Sequence, residues 1–265
     1  MSQVTTRDQG PVRIITLTNP PRGYMNAANA AELLVALQDA LAAPEIRAIV
    51  FTGGLPGVFI RHYDVGEIKT VLGALRAGAI QPGGDRAASP VYALIDLMLA
   101  CDKPTIAAIN GICMGGGCEF ALCCDMRIAA TGDYTIGLPE TRLGIIPGVG
   151  GLQLLARTVG LSRAREMVMR GRVVGPDEAL RIGLVDEVVP LALDRALEIA
   201  KELAANPPHA VAAAKRMARQ VAAGETLEQG LLTAASEFMG TLVDSDDTPR
   251  LIDGFLEGGE DILAG

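Results

Sequence analysis

Two short apolar runs constrain this chain more than any other feature. Ala48-Ile49-Val50-Phe51 leads into Thr52-Gly53-Gly54, and Thr105-Ile106-Ala107-Ala108-Ile109 leads into Asn110-Gly111. Unbroken apolar runs of this length, ended by turn residues, read as buried strands that open into glycine turns. Val12 to Leu17 is β-branched and alternating, and Asn19-Pro20-Pro21 stops it as a further strand. Helical patterns lie between and after these runs. Asn26 is placed to cap a helix over 27–43, with Leu33, Leu34, Leu37 and Leu41 on one stripe and Pro44 at its end. Ser89-Pro90 starts another through about Ala100, with serine as its cap. Between Glu67 and Ser89 the glycines and Pro82 suggest a mobile stretch over residues 68–88 that covers something. Beyond Gly151 the periodicity gives helices over 152–159, 163–169, 176–182, 194–205, 209–222 and 226–242. Strand and helix alternate early and helices dominate late, so the fold class is α/β with a helical C-terminal part.

Composition then excludes several kinds of function. The chain has 265 residues and a hydrophobic fraction of 49%, enough for a substantial core. Aromatic residues are only 3%, with no tryptophan, which leaves no stacking platform for single-stranded nucleic acid. The net charge is -8 and the basic residues are scattered, so no nucleic-acid partner is expected. Met1-Ser2-Gln3-Val4 does not resemble the start of a secretory signal and no apolar stretch is long enough to cross a bilayer; a cytoplasmic location without membrane attachment is expected. Cys101, Cys113, Cys118, Cys123 and Cys124 show no paired two-residue spacing, and there are only two histidines. Buried reduced thiols fit this pattern better than a metal site or a disulfide framework.

Glu119 stands out because the run Cys118 to Cys124 is otherwise almost wholly apolar. A carboxylate there needs either a partner or a task. It could satisfy free N–H groups at a helix start. The preceding Gly115-Gly116-Gly117 offers another role, since glycine lets backbone approach a ligand and a helix start presents N–H groups to developing negative charge. A second carboxylate, Glu140, lies in a stretch rich in glycine and proline yet strongly apolar, from Gly137 to Gly151. Such a stretch reads as a structured pocket loop leading into a helix.

Taken together, Lys103 to Gly111, Gly115 to Glu119, Gly137 to Gly151 and Ala179 to Asp186 resemble the enoyl-CoA hydratase/isomerase, or crotonase, family. The likeness covers essentially the whole chain and is most specific over about residues 103–190. It implies a spiral of ββα units over 1–190 and a helical oligomerisation region over 191–265, assembled as a homotrimer or a dimer of trimers. The implied substrate is an acyl-CoA thioester, with no metal or redox cofactor, coenzyme A being part of the substrate. The backbone N–H groups of Gly116 and Tyr63 match the oxyanion donors; Glu119 and Glu140 match the two carboxylates that handle water and proton. Arg61, His62, Asp64, Gly115, Pro139 and Gly148 fall where the acyl thioester would lie. Arg22 and Phe238, and Lys69 as a further basic group, are the candidates for coenzyme A itself.

The resemblance implies hydration of a 2-enoyl-CoA: Glu119 activates water, Glu140 shares it and protonates C2, and the two backbone donors hold the thioester oxygen. Isomerisation of a 3-enoyl-CoA, other acyl-CoA hydrolase or lyase chemistry and a non-catalytic scaffold are the competing readings. Three departures bear on them. Arg61-His62-Tyr63-Asp64 replaces the family's small residues before aspartate, so His62 or Tyr63 either enters the acyl pocket or packs away from it. Tyr24-Met25-Asn26 replaces a leucine-asparagine pair, and Gly254 to Gly259 lacks the basic residues often found there.

Overall fold

The computed structural model describes residues 2–81, 89–243 and 245–258. Its centre is a six-stranded sheet in the order β1 (Val4–Gln9), β2 (Val12–Leu17), β3 (Ala48–Gly53), β5 (Thr105–Ile109), β7 (Met126–Ala130) and β10 (Glu187–Val189). β1 and β2 form an antiparallel hairpin, and every other pairing in this sheet is parallel. A smaller sheet holds β4 (Gly57–Ile60), β6 (Gly111–Met114), β8 (Ile136–Gly137) and β9 (Val173–Val174). Consecutive strands alternate between the sheets, β3 to β4, β5 to β6 and β7 to β8, which gives the repeated ββα turn of the spiral.

The corners where the chain changes sheet explain why the two expected strands end in glycine. A Cβ on Gly111 would lie 1.9 Å from the carbonyl carbon of Gly57, so successive corners touch through backbone alone. The Asn110 side chain completes the joint as a substitute peptide. Its Oδ1 accepts the N–H of Gly53 at 3.1 Å and its Nδ2 donates to the Gly53 carbonyl at 2.8 Å.

Both faces of the large sheet are covered, as the unbroken apolar runs require. Ile49, Phe51, Ala107 and Ile109 join a core with α1 (Ala27–Ala42), α3 (Pro90–Ala100) and α4 (Gly116–Leu122). The alternate residues Ala48, Val50, Ile106 and Ala108 pack against Ala196, Ala200 and Ala204 of α8 (Ala192–Ala205). The first helix beyond residue 190 therefore closes the second face of the sheet. The helices that follow, α9 (Pro208–Ala222), α10 (Leu227–Val243) and α11 (Asp247–Glu257), leave many apolar side chains exposed, among them Leu231, Leu232 and Phe238.

Most expected elements are present, with α5 (Gly151–Val159), α6 (Leu161–Arg170) and α7 (Pro176–Arg181) completing the helices. Asn26 caps α1 through a reciprocal capping box with Asn29. Three expectations change. Ser89 precedes α3 but its hydroxyl makes no capping bond. The first part of the stretch expected to be mobile is helical, α2 (Val65–Arg76), because Asp64 accepts the N–H of Gly66 and caps it; residues 82–88 lie outside the described residues. α11 goes beyond the expected helices, since Pro249 falls in its first turn, where no N–H bond is lost. All five cysteines are buried and free.

Candidate active site

Three crossings of the spiral converge on one place. β4 leads through Arg61 to Tyr63 into α2; β6 leads through Gly115 into α4; β8 leads through Pro139 into a 3-10 turn (Glu140–Leu143) and then α5. Gly115 adopts φ 50°, a left-handed conformation that turns the chain from strand to helix within one residue. Its N–H donates to Gly137 at 2.9 Å and the N–H of Met114 donates to Arg61 at 3.1 Å, tying the three crossings together.

Tyr63 and Gly116 present their N–H groups side by side. Tyr63 forms a parallel bridge with Met25 in which Met25 donates to His62 and Asp64 donates to Met25. In that pairing the intervening Tyr63 N–H points to the opposite side, toward Gly116. A Cβ on Gly116 would stand 3.3 Å from the Tyr63 nitrogen and 3.1 Å from its Cβ. Among the described residues neither N–H has an acceptor. Gly117 is needed for the same closeness, since a Cβ there would lie 2.1 Å from the Ile60 carbonyl oxygen.

The two carboxylates reach this point from different elements. Glu119, only 3% exposed, accepts the N–H groups of Val149 and Gly151 on one oxygen, Oε1, each at 2.9 Å. Burial raises its pKa, while the N–H groups of Val149, Gly151 and Gly148 oppose that rise by favouring the anion. The helix-capping role open to Glu119 from sequence is real, but the helix is α5 rather than its own. Glu140 is placed with its Oε1 3.0 Å from where a Gly115 Cβ would be. Its Oε2 is buried without a hydrogen-bond partner among the described residues. Burial, reinforced by the charge of Glu119, pushes the Glu140 pKa up to about 7 against a smaller opposing bond from its own backbone. Paired N–H groups beside two buried carboxyls with different hydrogen-bond surroundings can stabilise an oxyanion and move protons near neutral pH.

A profile described as enoyl-CoA hydratase/isomerase matches residues 7–261. The chain belongs to the enoyl-CoA hydratase/isomerase family. It is 33% identical over 219 residues to the short-chain-enoyl-CoA hydratase of Clostridium acetobutylicum, covering 82% of this chain and 80% of that one. The solved enoyl-CoA hydratase of Bacillus anthracis superposes with a TM-score of 0.85 at 32% identity, over 97% of this chain and 96% of that one. Pseudomonas aeruginosa DspI gives the same TM-score at 29% identity, over 97% and 95%. The ββα spiral is thus the crotonase fold.

Where this family member departs from small residues, the side chains are engaged by protein. The Tyr63 hydroxyl donates to Glu67 Oε2 at 2.5 Å, and the same oxygen accepts the N–H of Ala27 at 3.0 Å, binding the loop to α1 and α2. His62 stacks on Tyr24 at 4.4 Å between ring centroids, and its Nδ1 lies 2.7 Å from the Tyr63 carbonyl, which fixes that nitrogen as the donor. Arg22 donates to the Tyr24 hydroxyl at 3.2 Å and Arg61 donates to the Arg22 carbonyl at 3.0 Å. Asp64 is occupied as the cap of α2. Gly148 is exposed, and its carbonyl accepts the Tyr92 hydroxyl at 3.1 Å. Pro139 opens the 3-10 turn. Phe238, on α10, is 62% exposed and Lys69, on α2, is also exposed; the contacts of this chain bring neither to the carboxylates.

Sequence reasoning passed over Glu67 and Tyr92, and marked Tyr24 only as a departure from the family pattern, without its stack on His62. Only Glu67 had a usable signal, four residues after Tyr63. The other two are brought in by strand and helix packing. Among the described residues no group of three His, Cys, Asp or Glu is arranged to hold a metal, and no helix is long and apolar enough to cross a membrane.

Proposed function

We propose that the protein is a hydro-lyase adding water across the 2,3 double bond of a 2-enoyl-CoA. The observation that carries this reading is the pair of carboxyls with unequal partners beside the paired N–H groups: Glu119 Oε1 accepts two backbone N–H groups, whereas Glu140 Oε2 is buried with no partner among the described residues and burial pushes its pKa up to about 7. The thioester oxygen sits against the N–H groups of Tyr63 and Gly116. Glu119 takes a proton from water as the water oxygen bonds to C3, and the electron pair of the double bond moves through C2 onto that thioester oxygen. Protonated Glu140 then gives its proton to C2 and the thioester carbonyl reforms. One proton passed from Glu119 to Glu140 restores both groups. Each backbone donor contributes on the order of 3 kcal/mol to lowering the barrier.

No step calls for a metal or redox cofactor, because the thioester itself is the electron sink. Arg22, exposed and bonded to the Tyr24 hydroxyl, is the basic group we assign to coenzyme A. The apolar side chains exposed on α10 and α11 support their burial in a subunit interface, and the family resemblance implies a homotrimer or a dimer of trimers. Incubating purified protein with crotonyl-CoA and following the enoyl absorbance tests the reading. Loss of absorbance that is abolished in both Glu119→Gln and Glu140→Gln is expected. Turnover of a 3-enoyl-CoA with none of crotonyl-CoA would replace hydration by isomerisation.

A further inference from the structure

The loop that holds Glu119 is itself held. Tyr92, in the first turn of α3, donates its hydroxyl to the Gly148 carbonyl at 3.1 Å. The next nitrogen, Val149, donates to Glu119 Oε1 at 2.9 Å. The Gly148 carbonyl and the Val149 N–H belong to one planar peptide group. A hydroxyl on its oxygen and a carboxylate on its nitrogen therefore act on the same rigid unit from opposite ends.

We propose that Tyr92 is a positioning residue for Glu119, holding the Gly148–Val149 peptide so that its N–H stays aimed at Glu119 Oε1. Two physical effects follow. Donation to the carbonyl polarises the peptide and strengthens its N–H as a donor, since hydrogen bonds in series reinforce each other. It also adds a restraint at the exposed end of the segment, since Gly148 is exposed while Val149 packs on the core and Gly150 precedes α5 in a left-handed conformation. The N–H groups of this segment are the ones that counter the cost of burying the Glu119 charge. The titratable groups whose charge is coupled to Glu119 are Glu140, from the 3-10 turn, and Cys123, one turn along α4.

The consequence for turnover rests on the hydratase reading above, whereas the consequence for Glu119 does not, so the two are separable. Tyr92→Phe removes the hydroxyl and keeps the ring. In full-length protein labelled with 13C-glutamate, the carboxyl carbon of Glu119 is identified by its absence in Glu119→Gln and titrated by NMR. Its midpoint is expected to rise by about half a unit in Tyr92→Phe. With crotonyl-CoA, kcat near neutral pH falls roughly three- to tenfold while KM stays within about twofold, the range of one neutral hydrogen bond acting through another group. An unmoved Glu119 midpoint overturns the proposal whatever happens to turnover. A raised KM with unchanged kcat also overturns it, because the hydroxyl then touches substrate. Wild-type turnover in Glu119→Gln would instead sink the hydratase reading and leave the titration result to stand for Tyr92.

Discussion

Glu119 on α4 caps α5: its Oε1 lies 2.9 Å from the N–H of Gly151, the first residue of that helix. A Cβ on Gly151 would stand 2.8 Å from the same oxygen, so the approach depends on glycine. One bond thus sets the position of a buried carboxylate and the seat of the next helix. It also separates Glu119 from Glu140, whose Oε2 has no such donor among the described residues. The asymmetry of the two carboxyls is a property of their backbone surroundings.

Glu140 gives a pH signature in both activity and stability. As the acid it must be protonated, so kcat falls as pH rises through about 7. Its folded pKa lies above the model glutamate value of 4.5, so the folded chain holds a proton that the unfolded chain releases between those values. That contribution to stability is fully present below 4.5 and is lost as pH rises through about 7. Glu140→Gln should therefore lower kcat by roughly a hundredfold or more. It should also gain in Tm relative to the parent between about pH 5 and pH 8, measured by thermal scans across that window.

Gly116→Ala tests the paired donors. Its Cβ would fall 3.1 Å from Tyr63 Cβ and 3.3 Å from the Tyr63 nitrogen, forcing the two N–H groups apart. Expected is a loss of kcat on the order of a hundredfold with a smaller change in KM, read by steady-state kinetics on crotonyl-CoA. An equal loss confined to KM would place the donors in ground-state binding.

Tyr63→Phe removes a bond to Glu67 and leaves the backbone donor intact. A cost of about 1 kcal/mol follows, visible as a Tm lowered by a few degrees. Because the hydroxyl is spent on α2 and α1, preference among acyl chain lengths should not change. A shifted preference in a panel of enoyl-CoA substrates would put this side chain in the acyl pocket.

Asn110→Ala strips the corner between β3 and β5 of both bonds to Gly53. Leaving two backbone groups unpaired there should cost about 2 to 4 kcal/mol, measured by urea unfolding. Coenzyme A binding should persist below the new midpoint.

Assembly is open to direct measurement. Light scattering should give a mass of three or six chains, and Phe238→Asp with Leu231→Asp should shift it toward the monomer by placing charge on the exposed face of α10. A wild-type monomer would remove the basis for that face being an interface.

Much of this protein was determined by the sequence alone. Unbroken apolar runs at Ala48 and Thr105 required strands covered on both faces, because burial of the whole run leaves no side for water. Asn26 and the leucine stripe required α1. Gly115 to Gly117 with Glu119, and Glu140 in its apolar loop, marked the site, because glycine and buried carboxylate are costly unless local structure uses them. Tertiary structure decided what the carboxylates do differently. Whether Glu119 or Glu140 meets free N–H groups depends on where α5 begins relative to α4, a relation between residues about thirty positions apart. The end of His62 was likewise decided by Tyr24, which reaches it only when the loop before α1 packs beside the one that enters α2, whereas Tyr63 meets Glu67 just four residues on. Sequence pattern records the face of an element; the partner opposite it is fixed by the path of the chain through space.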